Sequence, residues 1–221
     1  MKISTNKKSL TALTVALGFL AVVGTAQASQ FDLYFSNSGT FAGTTPSAPS
    51  NPNEVWATAN FNDEGGTGTV LLTMNVLNNL SSGAYVNEWY FNVSSSLSGM
   101  THSSGIMASS VDFGPGNHFA DGGGNYDFEI QFNTSSPGNL GQGLQSVYTL
   151  TGTGITASSF NLLSDSHGGN GIHLGAVHVQ GYESTSAYVA GAVPEPETYA
   201  MFMAGLGLMG FIARRRKNGQ A

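Results

Sequence analysis

Three oxygen-bearing side chains surround a glycine-rich turn in the middle of the chain. Asp121, Asn125 and Asp127 flank the run Gly122-Gly123-Gly124. Carboxylate and amide oxygens are ligands for hard cations, so this loop is a candidate calcium site. The alternative is a solvated hairpin loop whose Asp and Asn side chains bond their own backbone, because the EF-hand spacing and its distal Glu are missing. No cofactor is predicted, and calcium at this loop is the possible exception.

Carboxylates and aromatic rings that could act on polysaccharide are spread along the chain. A glycosidase needs two carboxylates that flank the sugar, and nothing in the sequence pairs any two of the available acids. Those acids are Glu54, Glu88, Asp112, Glu129 and Glu183. Aromatic rings stack on sugars but also fill cores. The rings with this double interpretation are Trp56, Trp89, Tyr90 and Tyr126.

Other catalytic patterns are incomplete. His173 and His178 are five residues apart on one predicted strand, which puts them on opposite faces, so a shared metal would need a bulge. His118 or His102 could complete a transition-metal site, but isolated structural histidines are the alternative. No H-E-x-x-H or G-x-S-x-G motif occurs. The sequence therefore predicts a protein that is not an enzyme.

Positive charge is confined to the two ends of the chain. Between Ser29 and Val193 there is no Lys or Arg, while all thirteen acids except Glu195 and Glu197 lie in that span, which leaves eleven. The formal charge of this body is about −11 with neutral histidines. Such a body repels phosphate backbones, which excludes nucleic acid as a direct partner. The chain has no cysteine, so disulfides cannot stabilise it.

The residues between the two ends follow the pattern of strands and glycine-rich turns. Val70, Leu72, Met74 and Val76 recur at every second position and predict a strand with one apolar face. The residues that alternate with them are Leu71, Thr73, Asn75 and Leu77. The alternation Tyr126, Phe128, Ile130 and Phe132 predicts a second strand with one apolar face. Further predicted strands are 31–35, 55–61, 85–93, 106–113, 146–151, 172–180 and 187–190. About nine short strands with these turns predict an all-β fold, an antiparallel jelly-roll-like β-sandwich.

The N-terminal residues have the three regions of a secretory signal in order. Lys2, Lys7 and Lys8 precede an apolar run over 10–23, and Ala26-Gln27-Ala28 follows. Small residues at Ala26 and Ala28 are what signal peptidase requires. We therefore predict a signal peptide over 1–28, cleaved after Ala28, and an exported β-sandwich domain over 29–192.

The C-terminal residues form a short apolar span between a Pro-Glu-Pro element and a basic cluster. Pro194, Glu195 and Pro196 precede 16 mostly apolar residues, and Arg214, Arg215 and Arg216 follow them. As a helix the span is roughly 24 Å long, a little under the bilayer's hydrocarbon thickness. The arginines place the C-terminus in the cytoplasm. We predict a single transmembrane helix within 193–217 and a cytoplasmic tail end over 218–221.

This C-terminal arrangement resembles the PEP-CTERM sorting signal of Gram-negative bacteria that make exopolysaccharide. The resemblance implies recognition by an exosortase, removal of the tail, and release or transfer of the body from the inner membrane to the cell surface or exterior. The body is similar to exported PEP-CTERM proteins of unassigned function, notably over 118–127 and 176–181. We therefore expect a structural or adhesive protein associated with exopolysaccharide. The alternative is a secreted glycan-binding module or polysaccharide-active hydrolase.

Overall fold

The computed structural model describes residues 28–43, 53–166, 172–181 and 185–192. These residues form eleven β-strands and one 3₁₀ turn. In chain order, β1 to β11 are Gln30–Gly43, Val55–Asn62, Thr69–Val76, Tyr85–Phe91, Leu97–Gly105, Ser110–Ala120, Gly124–Gln131, Leu140–Gly141, Gln145–Gly152, Gly175–Gln180 and Ser186–Ala192. The 3₁₀ turn is Ala157–Phe160.

All of the strands belong to one antiparallel sheet. The strand order is β5-β9-β3-β2-β1-β11-β10-β4-β7-β6, and β8 pairs with β4. The prediction of an all-β antiparallel fold is confirmed. The two predicted layers are the two halves of this continuous sheet, which folds over and is joined through the β1–β11 pairing. Its two end strands, β5 and β6, are consecutive in the chain.

The core lies between the two halves of the sheet. Period-two alternation turns the apolar residues of each strand inward, as the buried Val70, Leu72, Met74 and Val76 of β3 show. Rings from opposite halves meet there: Phe61 of β2 packs edge-on against Phe91 of β4, with centroids 5.2 Å apart. The 3₁₀ turn fills one end of this core with Phe160, which stacks on Phe61 at 4.2 Å.

The strands β6 and β10 begin at Ser110 and Gly175, later than the predicted 106 and 172, so His173 lies before β10 and not on it. The structure also differs from the prediction in three polar stretches. The strand β1 continues to Gly43, and β5 was not predicted. Both stretches are rich in Ser, Thr and Gly, so they lack the apolar alternation by which strands are recognised. The predicted turn Gly114-Pro115-Gly116-Asn117 is wrong, because these residues form an irregularity inside β6, between its pairings at Phe113 and His118.

Tyr126 does not share the apolar face of its strand. Phe128, Ile130 and Phe132 belong to the main core, as predicted. Tyr126 instead packs with Tyr90 in a small separate cluster. The irregularity in the β6–β7 ladder lies beside Tyr126, between the pairs Phe113–Phe128 and His118–Tyr126.

Several predicted segments lie outside the described residues. They are the signal peptide up to residue 27, the Pro-Glu-Pro element, the transmembrane helix, the arginine cluster and the tail end. Within the described ranges, the structure has no helix of the length and apolarity needed to span a membrane.

Candidate functional site

A carboxylate, two tyrosines and a histidine meet on the outer face of one half of the sheet. Trp89 and Phe91 of β4 point into the core, so Glu88 and Tyr90 point to the opposite face. Antiparallel pairing places His178 of β10 opposite Glu88 and Tyr188 of β11 opposite His178. We call Glu88, Tyr90, His178 and Tyr188 the Glu88 network.

Glu88 accepts hydrogen bonds from every other member of the network. Its Oε2 accepts from Tyr90 Oη at 2.8 Å and from Tyr188 Oη at 3.4 Å, and it lies 3.0 Å from His178 Nδ1. Its Oε1 accepts from Asn87 Nδ2 at 3.0 Å. Both oxygens are therefore occupied by donors.

These donors decide the protonation of the carboxyl group. Burial would raise the pKa of Glu88, but the hydrogen bonds from His178 and Tyr90 and the charge of His178 outweigh it, so its pKa lies below the ordinary value. Burial, followed by the charge of Glu88, raises the pKa of Tyr188 to about 12. Glu88 is thus a stable carboxylate near neutral pH, and Tyr188 stays a neutral donor.

A second histidine–carboxylate pair lies beside the Glu88 network. Glu129 of β7 is opposite Tyr90 in the ladder, and its Oε2 is 3.5 Å from His118 Nδ1. Its Oε1 accepts from Gln131 Nε2 at 2.6 Å. His118 Nε2 is buried and has no hydrogen-bond partner among the described residues. The structure thus brings together two acids that the sequence could not pair.

Glu88 and Glu129 are diagonal neighbours on one face of the sheet. Gln131 is opposite Glu88, and Glu129 is two residues further along β7. Diagonal neighbours lie about 7–8 Å apart, a spacing that suits an inverting glycosidase. Such an enzyme also needs a general acid with a raised pKa. Glu88 has a lowered pKa and is bonded on both oxygens, so it does not meet that requirement.

Four aromatic rings form a continuous stack along the edge of the network. Phe41 of β1 stacks on His173 at 4.8 Å and lies 6.2 Å from Tyr188. Tyr188 stacks on His178 at 4.3 Å, with the rings nearly parallel. His173 and His178 therefore lie at opposite ends of the stack with two rings between them. Burial lowers the pKa of His173, which favours its neutral form.

The predicted calcium ligands have different surroundings. Asp127 accepts from Val93 N at 2.9 Å and from Gly116 N at 3.1 Å. Asn125 makes two backbone hydrogen bonds with Asp165, and exposed Asp121 contributes its charge to the pKa of Tyr188. In the described part of the chain, no group of three or more His, Asp or Glu side chains is placed to hold a metal ion. The calcium site stays a prediction.

The aromatic residues proposed for sugar stacking are buried. Trp56, Trp89 and Tyr126 have no exposed surface, and Tyr90 has 4%. They are core residues, so that part of the sugar hypothesis is wrong. Among the described residues, the aromatic side chains with large exposed surfaces are Phe113 and Phe119, each 42% exposed.

Phe113 forms one wall of a groove of about 460 Å³, which we call the edge groove. It is lined by Val93–Leu97, Phe113–Pro115 and Asp127. Leu97 begins β5 and Phe113 lies in β6, so the groove lies where the two end strands of the sheet approach each other. Its volume is within the usual range of small-molecule sites. Sequence reasoning missed it because Gly114-Pro115 resembled a simple turn.

Comparison with known proteins identifies the C-terminal segment. The family model for the PEP-CTERM protein-sorting motif matches residues 192–217. A search of the curated proteins and a search of the solved structures found no match. The match confirms the interpretation of this segment as a PEP-CTERM sorting signal. The motif implies export, membrane-anchored sorting and recognition by an exosortase.

Proposed function

We propose that the body is a non-enzymatic, adhesive protein of the cell surface or extracellular matrix that binds neutral exopolysaccharide through the edge groove. The PEP-CTERM motif supports delivery to that location after removal of the tail. The observation that carries the binding proposal is the exposed ring of Phe113 beside a row of serines and the Asp127 carboxylate.

The groove has the chemistry that a sugar ring requires. The Phe113 ring packs against Phe128 in a tilted arrangement, with centroids 6.0 Å apart, and is 42% exposed. An aromatic face packs against the C–H face of a hexose. Ser94, Ser95 and Ser96 supply hydroxyl groups. Each carboxylate oxygen of Asp127 accepts one hydrogen bond from a backbone N–H group. Each oxygen can accept further hydrogen bonds, and these are left for sugar hydroxyls.

The negative charge of the body favours a neutral polysaccharide over an acidic one as the ligand. The body has no Lys or Arg with which to pair a uronate, sulfate or phosphate group, and its eleven acids repel such groups. A neutral polysaccharide meets no such repulsion. We therefore place acidic polysaccharides outside the binding range unless a divalent cation bridges them.

The experiment compares two equally exposed phenylalanines. The mature protein, Phe113→Ala and Phe119→Ala are run in affinity electrophoresis through gels that contain neutral or acidic polysaccharides, including the polymer of the producing cells. We expect a neutral polymer to retard the mature protein and Phe119→Ala. Binding by Phe113→Ala should be at least about tenfold weaker, which corresponds to about 1.4 kcal/mol. Equal retardation of both variants, or no retardation by any neutral polymer, would contradict the proposal.

The spacing of Glu88 and Glu129 favours a second candidate, a polysaccharide hydrolase. It is tested by assaying new reducing ends after incubation with the same polymers. We expect none. Cleavage by the mature protein that is lost in Glu129→Gln would establish the enzyme and refute the non-enzymatic role.

A further inference from the structure

Ser29 is bound to Asp63 at the point where the fold begins. Ser29 N donates to Asp63 Oδ1 at 2.8 Å, and Ser29 Oγ donates to Asp63 Oδ2. The backbone N–H of Asp63 returns a hydrogen bond to the carbonyl oxygen of Ser29 at 3.3 Å. The β1–β2 ladder starts with the next residue, Gln30, opposite Asn62.

Asp63 also accepts hydrogen bonds from two other segments of the chain. Its Oδ1 accepts from Gly65 N at 3.1 Å, and its Oδ2 accepts from Ala157 N at 3.2 Å, at the start of the 3₁₀ turn that carries Phe160 into the core. The residue is only 7% exposed. The hydrogen bonds from Ser29, followed by those from Gly65 and Ala157, lower the pKa of Asp63 to about 2 despite burial. Asp63 is therefore a buried anion at the junction of three segments, and neutral donors surround it in the chain before processing.

The predicted signal-peptidase site lies immediately before this junction. Ala26-Gln27-Ala28 predicts hydrolysis of the Ala28–Ser29 amide, and Ala28 and Ser29 are both exposed. Water adds across this bond, the carboxylate of Ala28 leaves with the signal peptide, and the amine of Ser29 takes up a proton. The nitrogen atom that already lies 2.8 Å from Asp63 Oδ1 then carries a full positive charge.

We propose that Asp63 is the binding site for the α-ammonium group that signal-peptide removal creates at Ser29. Processing converts a hydrogen bond from a neutral amide into an ion pair, which fastens the mature N-terminus to the fold. The bond to the anionic Asp63 is already charge-assisted before processing, and processing adds the attraction between two opposite full charges 2.8 Å apart. Apart from histidine, the Ser29 ammonium is the one cationic group of a body that has no Lys or Arg.

The α-amino group can be titrated selectively in the processed protein. Lys217 is the one lysine that remains after cleavage, and it leaves with the tail. Protein processed by the producing cells is acylated with an amine-reactive ester at a series of pH values, and peptide masses give the rate at Ser29. We expect its pKa at least about one unit above the usual 7.7–8.0 of a free N-terminus. Asp63→Asn should return it to the usual range. The control Asp32→Asn, whose carboxylate binds Gln30 and Asn60 instead, should not.

A second measurement does not depend on a folded Asp63 variant. Adding one alanine before Ser29 in the processed protein restores the neutral amide and moves the ammonium out of reach. We expect this extended protein to melt at least about 3 °C lower. The proposal is wrong if the extended protein melts at the same temperature, if the pKa at Ser29 is that of a free terminus, or if the mature N-terminus is a residue other than Ser29.

Discussion

The sharpest stability test removes the charge at the centre of the Glu88 network. In Glu88→Gln the carboxylate that accepts from Tyr90 at 2.8 Å becomes an amide of nearly the same shape. His178 and Tyr90 then donate to a neutral oxygen or lose their partner. Hydrogen bonds to a charged group contribute about 1.5–3 kcal/mol, against about 0.5–1.5 kcal/mol for neutral ones. With two short donors on Oε2, we expect a loss of about 2–3 kcal/mol.

Urea unfolding near pH 7 measures this loss, and thermal melting should show a decrease of about 4–10 °C. A double-mutant cycle with Tyr90→Phe isolates the bond between the two side chains. We expect a coupling of about 1 kcal/mol or more, because the residues are in direct contact. A loss below about 0.5 kcal/mol, within the range of ordinary surface substitutions, would refute the reasoning.

The stability lost in Glu88→Gln should depend on pH, and it should be smaller at low pH. The pKa of Glu88 is lower in the folded protein than its ordinary value of 4.5. Its contribution to stability is therefore fully present above that value and is lost as the pH falls through the folded pKa. The difference between the mature protein and Glu88→Gln should shrink as the pH falls below about 4.5. A difference that is independent of pH would show that packing, and not charge, accounts for the loss.

Three further outcomes follow from the candidate calcium loop, the conformation of Gly124 and the sorting motif. Millimolar calcium should raise the melting temperature if the predicted loop binds it, with no rise in Asp127→Ala; no shift in either protein retires the calcium site. Gly124→Ala should destabilise by about 1–3 kcal/mol, because its φ is +89° and a Cβ would lie 2.4 Å from the carbonyl oxygen of Asp165. Gly154→Ala, with φ +69° and open space, is the control for strain without a clash. Replacing Pro194-Glu195-Pro196 should leave the protein in the inner membrane on fractionation, and unchanged release would contradict exosortase sorting.

Much of the fold could be predicted because strands with one apolar face have a period of two. The β3 alternation of Val70, Leu72, Met74 and Val76 identified that strand and its buried side. The polar edge strand β5 carries no such signal: it lies at one end of the strand order, and no described strand pairs with its outer side. Its residues therefore need not alternate, and only the pairing with β9 defines it as a strand.

The site could not be predicted in the same way, because its contacts join distant parts of the chain. Glu88 and His178 are 90 residues apart and meet only because β4 pairs with β10. Ser29 and Asp63 meet through the β1–β2 pairing. The sequence offered the correct residue types, but single-sequence periodicity contains no information about which strands are neighbours. The sorting motif is different, since its residues are contiguous and need no fold to be recognised.

The fold has to accommodate buried acids without any Lys or Arg. Asp127 and Asp63 accept hydrogen bonds from backbone N–H groups of neighbouring segments. Glu88 is satisfied by tyrosine, histidine and asparagine side chains. The ion pairs in the described residues are the two histidine–glutamate pairs, Glu88 with His178 and Glu129 with His118. Attraction in this protein is therefore short-ranged and local, whereas the long-range field of eleven acids is repulsive.

The contrast between short-range attraction and long-range repulsion determines how the stability of the protein responds to ionic strength. Salt screens charges that are exposed and separated by more than about 10 Å, and it has less effect on buried pairs in direct contact. In a protein held by surface pairs of Lys or Arg with acids, screening removes favourable terms and lowers the melting temperature. Here it removes the repulsion between acids and leaves the buried hydrogen bonds nearly unchanged. The melting temperature of the mature protein should therefore rise between about 0.02 and about 0.5 M NaCl, and a fall would mean that long-range attraction, which this charge distribution does not contain, stabilises the fold.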